Sequence, residues 1–334
     1  IMKICHISDV HIRNYRYHTE YKEVFEQLYE KLKEIKPDII VNTGDTAHTK
    51  LQLSPSYFHM SAKFFENLAD IAPLHIILGN HDLNLRNVAK IDAITPVVEA
   101  LDHKNIHFHK YSQEVDLGNG FVLNVMSIVD EDQWVRPTDR DKVNIALFHG
   151  SVAGVETDTG WIMEHGDIDI KEFKGFDYVL LGDIHKTNQL LDTEGRVRYP
   201  GSLVQQNFGE TPDKGFLLWD IEDKENFTCE HVPLQNPKPF VTIELTPKGR
   251  LPKGANVTQG ARVRLVSNNN LPLDRMRRAI DVAKTKFKPE SITFLNRSSG
   301  ERGSVEDLTN GINIEDLRDI EVQEELIGEY LKEF

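Results

Sequence analysis

The sequence predicts an α/β fold in which polar residues gather at one edge of the sheets. Several short apolar runs, rich in β-branched and aliphatic residues, have the length and composition of buried strands. These runs are Ile4 to Ile7, Ile39 to Val41, Leu74 to Leu78, Ile145 to Phe148 and Tyr178 to Leu181. A polar cluster follows each run. Because loops at the carboxyl ends of strands converge in an α/β sheet, we expect these clusters to form one ligand site.

The clusters occur in a fixed order along the chain. They are Asp9-Val10-His11, Gly44-Asp45, Gly79-Asn80-His81-Asp82, His149-Gly150 and Gly182-Asp183-Ile184-His185. Taken singly, each is explained by a turn, a helix cap or a core histidine. As a set, carboxylate, imidazole and amide groups suit Mn²⁺, Fe²⁺ or Zn²⁺. Two such ions can bind one phosphate and activate a water, so the set predicts hydrolysis of a phosphate ester.

The ordered set resembles the signature of the calcineurin-like metallophosphoesterases over residues 2 to about 235. Within that family the chain is similar to the SbcD-type DNA double-strand-break-repair nucleases, also called the meiotic-recombination-eleven family, and nearest to the T-even phage recombination nuclease subunits. The narrower resemblance rests on the runs 176–182 and 199–203 and on the segment after residue 236. It implies a β-sandwich flanked by helices, a small α+β capping domain and a C-terminal helical tail.

The resemblance also implies two metal positions that share one bridging carboxylate. One position would be formed by Asp9, His11, Asp45 and His185, and the other by Asp45, Asn80, His149 and Asp183. The implied ions are Mn²⁺, with Mg²⁺ as the alternative. The family has a histidine where this chain has Asp183. An additional carboxylate lowers the net positive charge and adds an oxygen ligand, so we expect a harder, less electrophilic second position.

Three further residues match active-site positions of the family. His81 is implied to stabilise the transition state or to protonate the leaving 3′ oxygen, and Asp82 to orient its ring. His48, three residues after Asp45, matches a further active-site histidine of the nuclease branch. The alternative for His48 is an ordinary exposed loop residue.

Composition and charge shifts predict three segments. Residues 1–236 would form the nuclease domain, 237–298 a basic DNA-capping domain, and 299–334 an acidic linker with a partner-binding helix. The whole chain of 334 residues has a net charge of −14, whereas residues 240–297 carry twelve basic and four acidic residues. A predicted helix from Leu273 to Phe287 presents the candidate DNA-binding residues, which are Arg275, Arg278, Lys284 and Lys286. The alternative is an ordinary solvated helix.

The acidic tail carries apolar residues at helical spacing, which favours a partner surface. The resemblance implies binding to an SbcC-type SMC-like ATPase, through residues that include Leu326, Ile327, Tyr330 and Leu331. The alternative is a helix packed on its own domain. Two other predicted helices, 55–68 and 88–101, are implied to form a homodimer, and the alternative is that they only cover the sheet. Trp134, in the polar loop 129–143, could stack on a base or shield the loop.

No apolar stretch approaches the length of a membrane span, and the two cysteines suggest neither a disulfide framework nor a thiolate metal site. We therefore expect a cytoplasmic protein that does not associate with membranes. The predicted function is a two-metal DNA nuclease, with 3′ to 5′ exonuclease action on duplexes and endonuclease action on single strands, in double-strand-break repair and recombination. The alternatives are a metallophosphoesterase acting on phosphoproteins or cyclic nucleotides, and a mainly structural DNA-tethering subunit.

Overall fold

The computed structural model describes residues 1–49, 53–297 and 301–304. It divides the chain into two compact units, Ile1–Asn236 and Pro237–Phe334. The predicted partner-binding residues of the tail, 326–331, lie outside the described residues. Cys5 and Cys229 are free thiols. Among the helices that the structure describes, none combines the length and apolar composition needed to cross a bilayer.

The first unit consists of two sheets and helices that cover them. Its described strands are β1 (Met2–Ile7), β2 (Ile39–Asn42), β3 (Leu74–Ile77), β4 (Ile106–His109), β5 (Gln113–Gly118), β6 (Phe121–Met126), β7 (Val143–His149), β8 (Tyr178–Gly182), β9 (Gln189–Leu190), β10 (Val197–Tyr199), β11 (Gly215–Ile221) and β12 (Phe227–Pro233). One sheet has the order β12-β11-β1-β2-β3-β4 and the other β5-β6-β7-β8-β10-β9. The predicted α/β class, with its β-sandwich, is confirmed.

The direction of the central strands explains why the polar clusters meet. Strands β1, β2, β3 and β4 are parallel, as are β6, β7 and β8. The carboxyl ends of the strands that precede the clusters therefore lie together within each sheet. Apolar side chains from both sheets form one core between them, in which Trp219 and Tyr178 are fully buried with ring centroids 6.2 Å apart.

Helices α1 (His18–Ile35), α2 (Pro55–Ile71) and α3 (Thr95–Leu101) complete the described regular structure of this unit, with short 3₁₀ turns at Tyr15–Tyr17, Glu131–Gln133 and Ile170–Phe173. The predicted helix 88–101 is wrong over its first half, where the chain forms turns. Asp92 accepts hydrogen bonds from the backbone N–H groups of Ile94 and Thr95, which begins α3 there. Pro96 fits only in the first turn of a helix, so it also favours this start.

The apolar surplus on α2 does not support a dimer as the sequence suggested. Tyr57, Met60 and Phe65 are all buried within the protomer, and Phe58 is half-buried. Phe64 stacks on Phe25 of α1 at a centroid distance of 4.2 Å. This aromatic residue of α2 therefore packs against α1 within the protomer. The apolar residues of α2 therefore no longer argue for a homodimer, and the homodimer stays a prediction.

The second unit contains β13 (Phe240–Glu244), β14 (Arg262–Ser267), α4 (Leu273–Phe287), β15 (Ser291–Asn296) and β16 (Glu301–Ser304). Its sheet has the order β13-β14-β15-β16, with β13, β14 and β15 parallel and β16 antiparallel. The predicted α+β module thus contains a β14-α4-β15 crossover unit. The boundary predicted at residue 298 is too early, because β16 pairs with β15 and extends the sheet to Ser304.

Helix α4 is amphipathic in the structure. Met276, Ile280 and Ala283 are buried against the sheet of the second unit. The candidate DNA-binding side chains all lie on its exposed face, and they are Arg275, Arg278, Lys284 and Lys286. This arrangement provides a charged surface on the second unit that has no role in its core.

Candidate metal centre

Four of the predicted ligands have backbone conformations that L-residues rarely adopt. The φ angles are +51° at Asp9, +46° at His11, +55° at Asp45 and +102° at Asp183. Residues other than glycine in this region are strained by about 1–3 kcal/mol and are concentrated at functional sites. The chain therefore turns sharply at each of these positions and directs the ligand side chain. Packing of the core does not explain the conformational strain at these residues.

Glycines precede the ligands because there is no room for a side chain. A Cβ at Gly79 would lie 2.1 Å from Asp45 Oδ1, and one at Gly182 would lie 2.3 Å from the Thr43 carbonyl oxygen. At Gly44, which has a φ of +100°, a Cβ would lie 2.6 Å from His149 Nδ1. The Gly-Asp and Gly-Asn steps of the motifs are therefore close approaches between neighbouring loops.

Asp9, His11 and His185 converge on one point. His11 Nε2 lies 3.0 Å from His185 Nε2 and 3.7 Å from Asp9 Oδ1, which is also 3.7 Å from His185 Nε2. Asp9 Oδ1 is buried and has no hydrogen-bond partner among the described residues. An unpartnered buried carboxylate oxygen facing two imidazole nitrogens is costly unless a cation lies between them, so these residues fit a metal ion.

Asp45 lies between two histidines, as a bridging carboxylate would. Its Oδ2 is 3.5 Å from His11 Nε2, and its Oδ1 is 3.4 Å from His149 Nε2. His149 Nδ1 donates to the Thr43 carbonyl at 2.7 Å, which in the neutral ring leaves Nε2 unprotonated. That buried Nε2 has no hydrogen-bond partner within the part of the chain that the structure describes. The second position therefore also fits a metal ion.

Asn80 and Asp183 lie beside His149 at the second position. The Asn80 amide nitrogen donates to Asp183 Oδ1 at 3.0 Å, and Asp183 Oδ1 lies 3.7 Å from His149 Nε2. The backbone N–H of Asp183 donates to Asp9 Oδ2 at 3.0 Å, which links the two positions. The structure thus brings all seven predicted ligands together.

The charges of these groups favour a cation. Burial opposes charge on both Asp45 and His149, but His149 and His11 outweigh it and lower the pKa of Asp45. Burial likewise opposes protonation of His149, but Asp45, Asp9 and Asp183 raise its pKa well above the usual value. Burial, together with repulsion from Asp9 and Asp45, raises the pKa of Asp183 to about 6. Positive charge is therefore strongly stabilised where the ligand atoms meet.

The predicted contact between Asp82 and the His81 ring is wrong. The buried Asp82 carboxylate accepts from the backbone N–H groups of Asp45, Ala47 and Gly79, at 2.8–2.9 Å. It therefore shapes the two metal-binding loops. His81 Nδ1 instead donates to the His48 carbonyl oxygen at 2.7 Å, while both Asp82 oxygens accept from backbone N–H groups.

His81 and His48 both lie beside the ligands. His81 is exposed, and its ring centroid is 4.9 Å from that of His11. His48 is half-buried, 5.7 Å from His11 and 6.4 Å from His81 between centroids. The exposed edge of His81 can therefore reach a substrate held at the ligands, with His48 behind it.

Sequence reasoning missed Glu210, which is 8% exposed and lies 2.6 Å from His185 Nδ1. No motif contains it, because it follows His185 by 25 residues in an irregular segment. For Trp134 the structure favours shielding: its Nε1 donates to the Ser127 carbonyl at 2.8 Å, and its ring packs edge-on against Phe148.

Comparison with known proteins agrees with this geometry. Residues 2–187, more than half of the chain, match the calcineurin-like phosphoesterase family. The chain belongs to the calcineurin-like phosphoesterases. These phosphoesterases are hydrolases that use a dinuclear metal centre. Among the described residues, three groups of side chains could hold a metal ion, and they are Asp9-His11-His185, His11-Asp45-His81 and Asp9-Asp45-His149. The predicted resemblance to the calcineurin-like metallophosphoesterases is confirmed, whereas the closeness to phage nuclease subunits stays a prediction.

Three relatives show which proteins within and beyond this family the chain resembles. An uncharacterized protein of Acanthamoeba polyphaga mimivirus is 36% identical over 260 residues, which covers 73% of this chain and 19% of that protein. A subunit of the nuclease SbcCD from Staphylococcus epidermidis is 24% identical, and the match covers 73% of this phosphoesterase and 72% of that subunit. The DNA double-strand break repair protein Mre11 of Methanopyrus kandleri is 23% identical, covering 73% and 60%. The chain spans about a fifth of the mimivirus relative. It is thus distantly homologous to the SbcCD subunit and to Mre11.

Proposed function

We propose that this phosphoesterase is a DNA nuclease that hydrolyses phosphodiesters with two divalent metals, Mn²⁺ by preference. The observation that carries the proposal is the position of Asp45, whose two oxygens face His11 and His149 at 3.5 and 3.4 Å. One carboxylate between two ligand groups is what a shared dinuclear site requires. The two metal positions are those predicted, with Asp9, His11 and His185 on one side of Asp45 and Asn80, His149 and Asp183 on the other.

Bound metals would polarise the phosphate and lower the pKa of the attacking water. The protein residues supply the rest of the chemistry. Asp82 and the glycines fix the loops that carry Asp45 and Asn80, so the ligands are oriented before substrate arrives. His81 holds a proton on Nδ1 by donating to His48. In the imidazolium form the ring also carries a proton on Nε2, and it would donate that proton to the leaving 3′ oxygen and become neutral.

Two observations support DNA as the substrate. The distant relatives include a nuclease subunit and a DNA double-strand break repair protein. The described second unit also exposes a row of basic side chains on α4, and a phosphate backbone is bound mainly by such charges. A phosphoesterase for phosphoproteins or cyclic nucleotides would not need this surface.

Assembly and location belong to the same proposal. We infer that the tail after residue 304 binds an SbcC-type SMC-like ATPase, that two copies pair through α2 and the segment 88–101, and that the protein acts in the cytoplasm. Exposed Val88 and Ile91 support the pairing, since they leave apolar surface on that segment. Co-purification with the ATPase and light scattering test the first two inferences separately.

The proposed activity is tested by incubating the full chain with end-labelled duplex DNA and Mn²⁺, Mg²⁺ or Zn²⁺. We expect Mn²⁺-dependent degradation that Asp45→Asn and His81→Asn abolish, while Asp116→Asn, at an exposed pair with Lys142, retains it. Faster hydrolysis of a phosphopeptide or cyclic nucleotide than of DNA would contradict the substrate. Tight DNA binding without any hydrolysis would instead support a structural tether.

A further inference from the structure

A buried carboxylate and a buried ammonium lie directly behind His185. Glu210 is 8% exposed and Lys214 is 2% exposed. Glu210 Oε1 accepts from His185 Nδ1 at 2.6 Å, and Lys214 Nζ donates to the backbone carbonyl of His185 at 2.7 Å. Charged side chains remain inside a protein only when they are paired. Both charged side chains therefore contact the same residue of the metal centre, Glu210 through the His185 ring and Lys214 through the His185 carbonyl.

The surroundings of Glu210 require a carboxylate rather than an amide. While Oε1 faces His185, Oε2 accepts from the Ser202 hydroxyl and the Gln206 backbone N–H, each at 2.9 Å. A glutamine would present its N–H₂ group to one of these donors, since an amide accepts on only one side. Because Glu210 only accepts, His185 carries a proton on Nδ1, so Nε2, which lies 3.0 Å from His11 Nε2, is the ring nitrogen that can bind a metal.

The contact continues away from the metal centre. Lys214 Nζ lies 3.0 Å from Asp158 Oδ2 and 3.6 Å from Glu210 Oε2. Asp158 belongs to a hairpin in which Thr157 N–H donates to the Trp161 carbonyl. The charged chain Glu210-Lys214-Asp158 therefore links His185 to this hairpin through ion pairs and hydrogen bonds.

The run 199–203 supports the same ligand through its backbone. Ser202 N–H donates to the His185 carbonyl at 3.2 Å, and Leu203 N–H to the Asp9 carbonyl at 3.4 Å. Gly201 has a φ of +88°, and a Cβ there would lie 2.7 Å from the His185 carbonyl oxygen. This run thus fixes the backbone of Asp9 and of His185 by hydrogen bonds.

We propose that Glu210, held by Lys214 and Asp158, is the positioning residue for His185 and sets the metal affinity of the position formed by Asp9, His11, Asp45 and His185. The proposal rests on the assignment of His185 as a ligand made above. A partner that orients a metal-binding histidine fixes its tautomer, and its loss typically lowers metal affinity by about 10–100-fold. Substrate contact is not part of this role.

The test is Mn²⁺ titration of the full chain, by calorimetry and by electron paramagnetic resonance of free Mn²⁺. We expect Glu210→Gln to weaken one of two binding events by about 10-fold and Glu210→Leu by about 100-fold, the range for lost orienting partners. The matched control is Asp177→Asn, which removes a half-buried carboxylate at the opposite end of β8, where it accepts from Asn144 N–H at 2.7 Å. This control should bind Mn²⁺ as the wild type does.

A second readout does not need a variant of Glu210. In Zn²⁺-loaded protein with ¹⁵N-labelled histidine, assigned by His185→Gln, we expect the His185 ring to be protonated on Nδ1 and to bind the ion through Nε2. A ring protonated on Nε2, or unchanged Mn²⁺ affinities in both Glu210 variants, would overturn the proposal. If the wild type binds two Mn²⁺ ions as expected but degrades no DNA, the nuclease function fails and the role of Glu210 stands.

Discussion

Adding one methyl group at Gly79 should disable the metal centre without unfolding the protein. The new Cβ would lie 2.1 Å from Asp45 Oδ1, 2.3 Å from the Asp45 backbone nitrogen and 2.7 Å from His149 Cε1. Since a carbon and an oxygen normally approach to about 3.4 Å, Asp45 must move by roughly 1.3 Å. A displacement of about 1 Å costs on the order of 100-fold in rate when reacting groups are misplaced. Gly79→Ala should therefore lower kcat by about this factor.

The assay is Mn²⁺-dependent hydrolysis of DNA, together with Mn²⁺ titration and urea unfolding of the same samples. Overpacking of this kind costs about 1–3 kcal/mol of stability, so Gly79→Ala should still be folded at room temperature. The control is Gly118→Ala, where φ is +77° but nothing lies within 4 Å of the added Cβ. It should lose about 1–2 kcal/mol and keep full activity. Wild-type activity and Mn²⁺ affinity in Gly79→Ala would refute the close-approach argument.

Three further predictions concern stability, metal choice and DNA binding. Burial lowers the pKa of His75 to about 3 and that of His109 to about 4, so below pH 6.5 the unfolded state binds more protons than the folded state and stability should fall as pH drops. Urea unfolding of His109→Gln should show a shallower fall between pH 7 and pH 5, and an unchanged slope would contradict this. Asp183→His should shift the preference from Mn²⁺ towards Zn²⁺ in metal competition, and an unchanged ratio would be evidence against the charge argument. Arg278→Ala with Lys286→Ala should reduce the salt slope of DNA binding by about 2, whereas Lys63→Ala on α2 should not change it.

Much of the metal centre could be predicted because its residues are local in sequence. Asp9 and His11, or Asp183 and His185, follow a buried strand within a few residues, and parallel strands bring such ends together. The glycines in front of Asp45 and Asn80 indicate the close approach that the structure shows. These signals need only the position of each buried strand along the chain, which apolar runs indicate.

The parts that could not be predicted depend on contacts between distant segments. Glu210 contacts His185 from 25 residues further along the chain, beyond β9 and β10, and Asp82 contacts backbone N–H groups of another loop rather than the ring of its neighbour. The start of α3 at Thr95 depends on capping by Asp92, which apolar periodicity alone does not show. Tyr57 and Met60 suggested a protein interface because an apolar residue buried within the protomer cannot be told from one buried between two protomers by sequence alone.

The most direct test of the dinuclear site is anomalous X-ray diffraction from crystals soaked in Mn²⁺. We predict two Mn²⁺ peaks about 3.5–4 Å apart, the spacing of two-metal sites. Asp45 should contact both peaks, with His185 bound to one and His149 to the other. A single peak, or two peaks that do not share Asp45, would contradict the account.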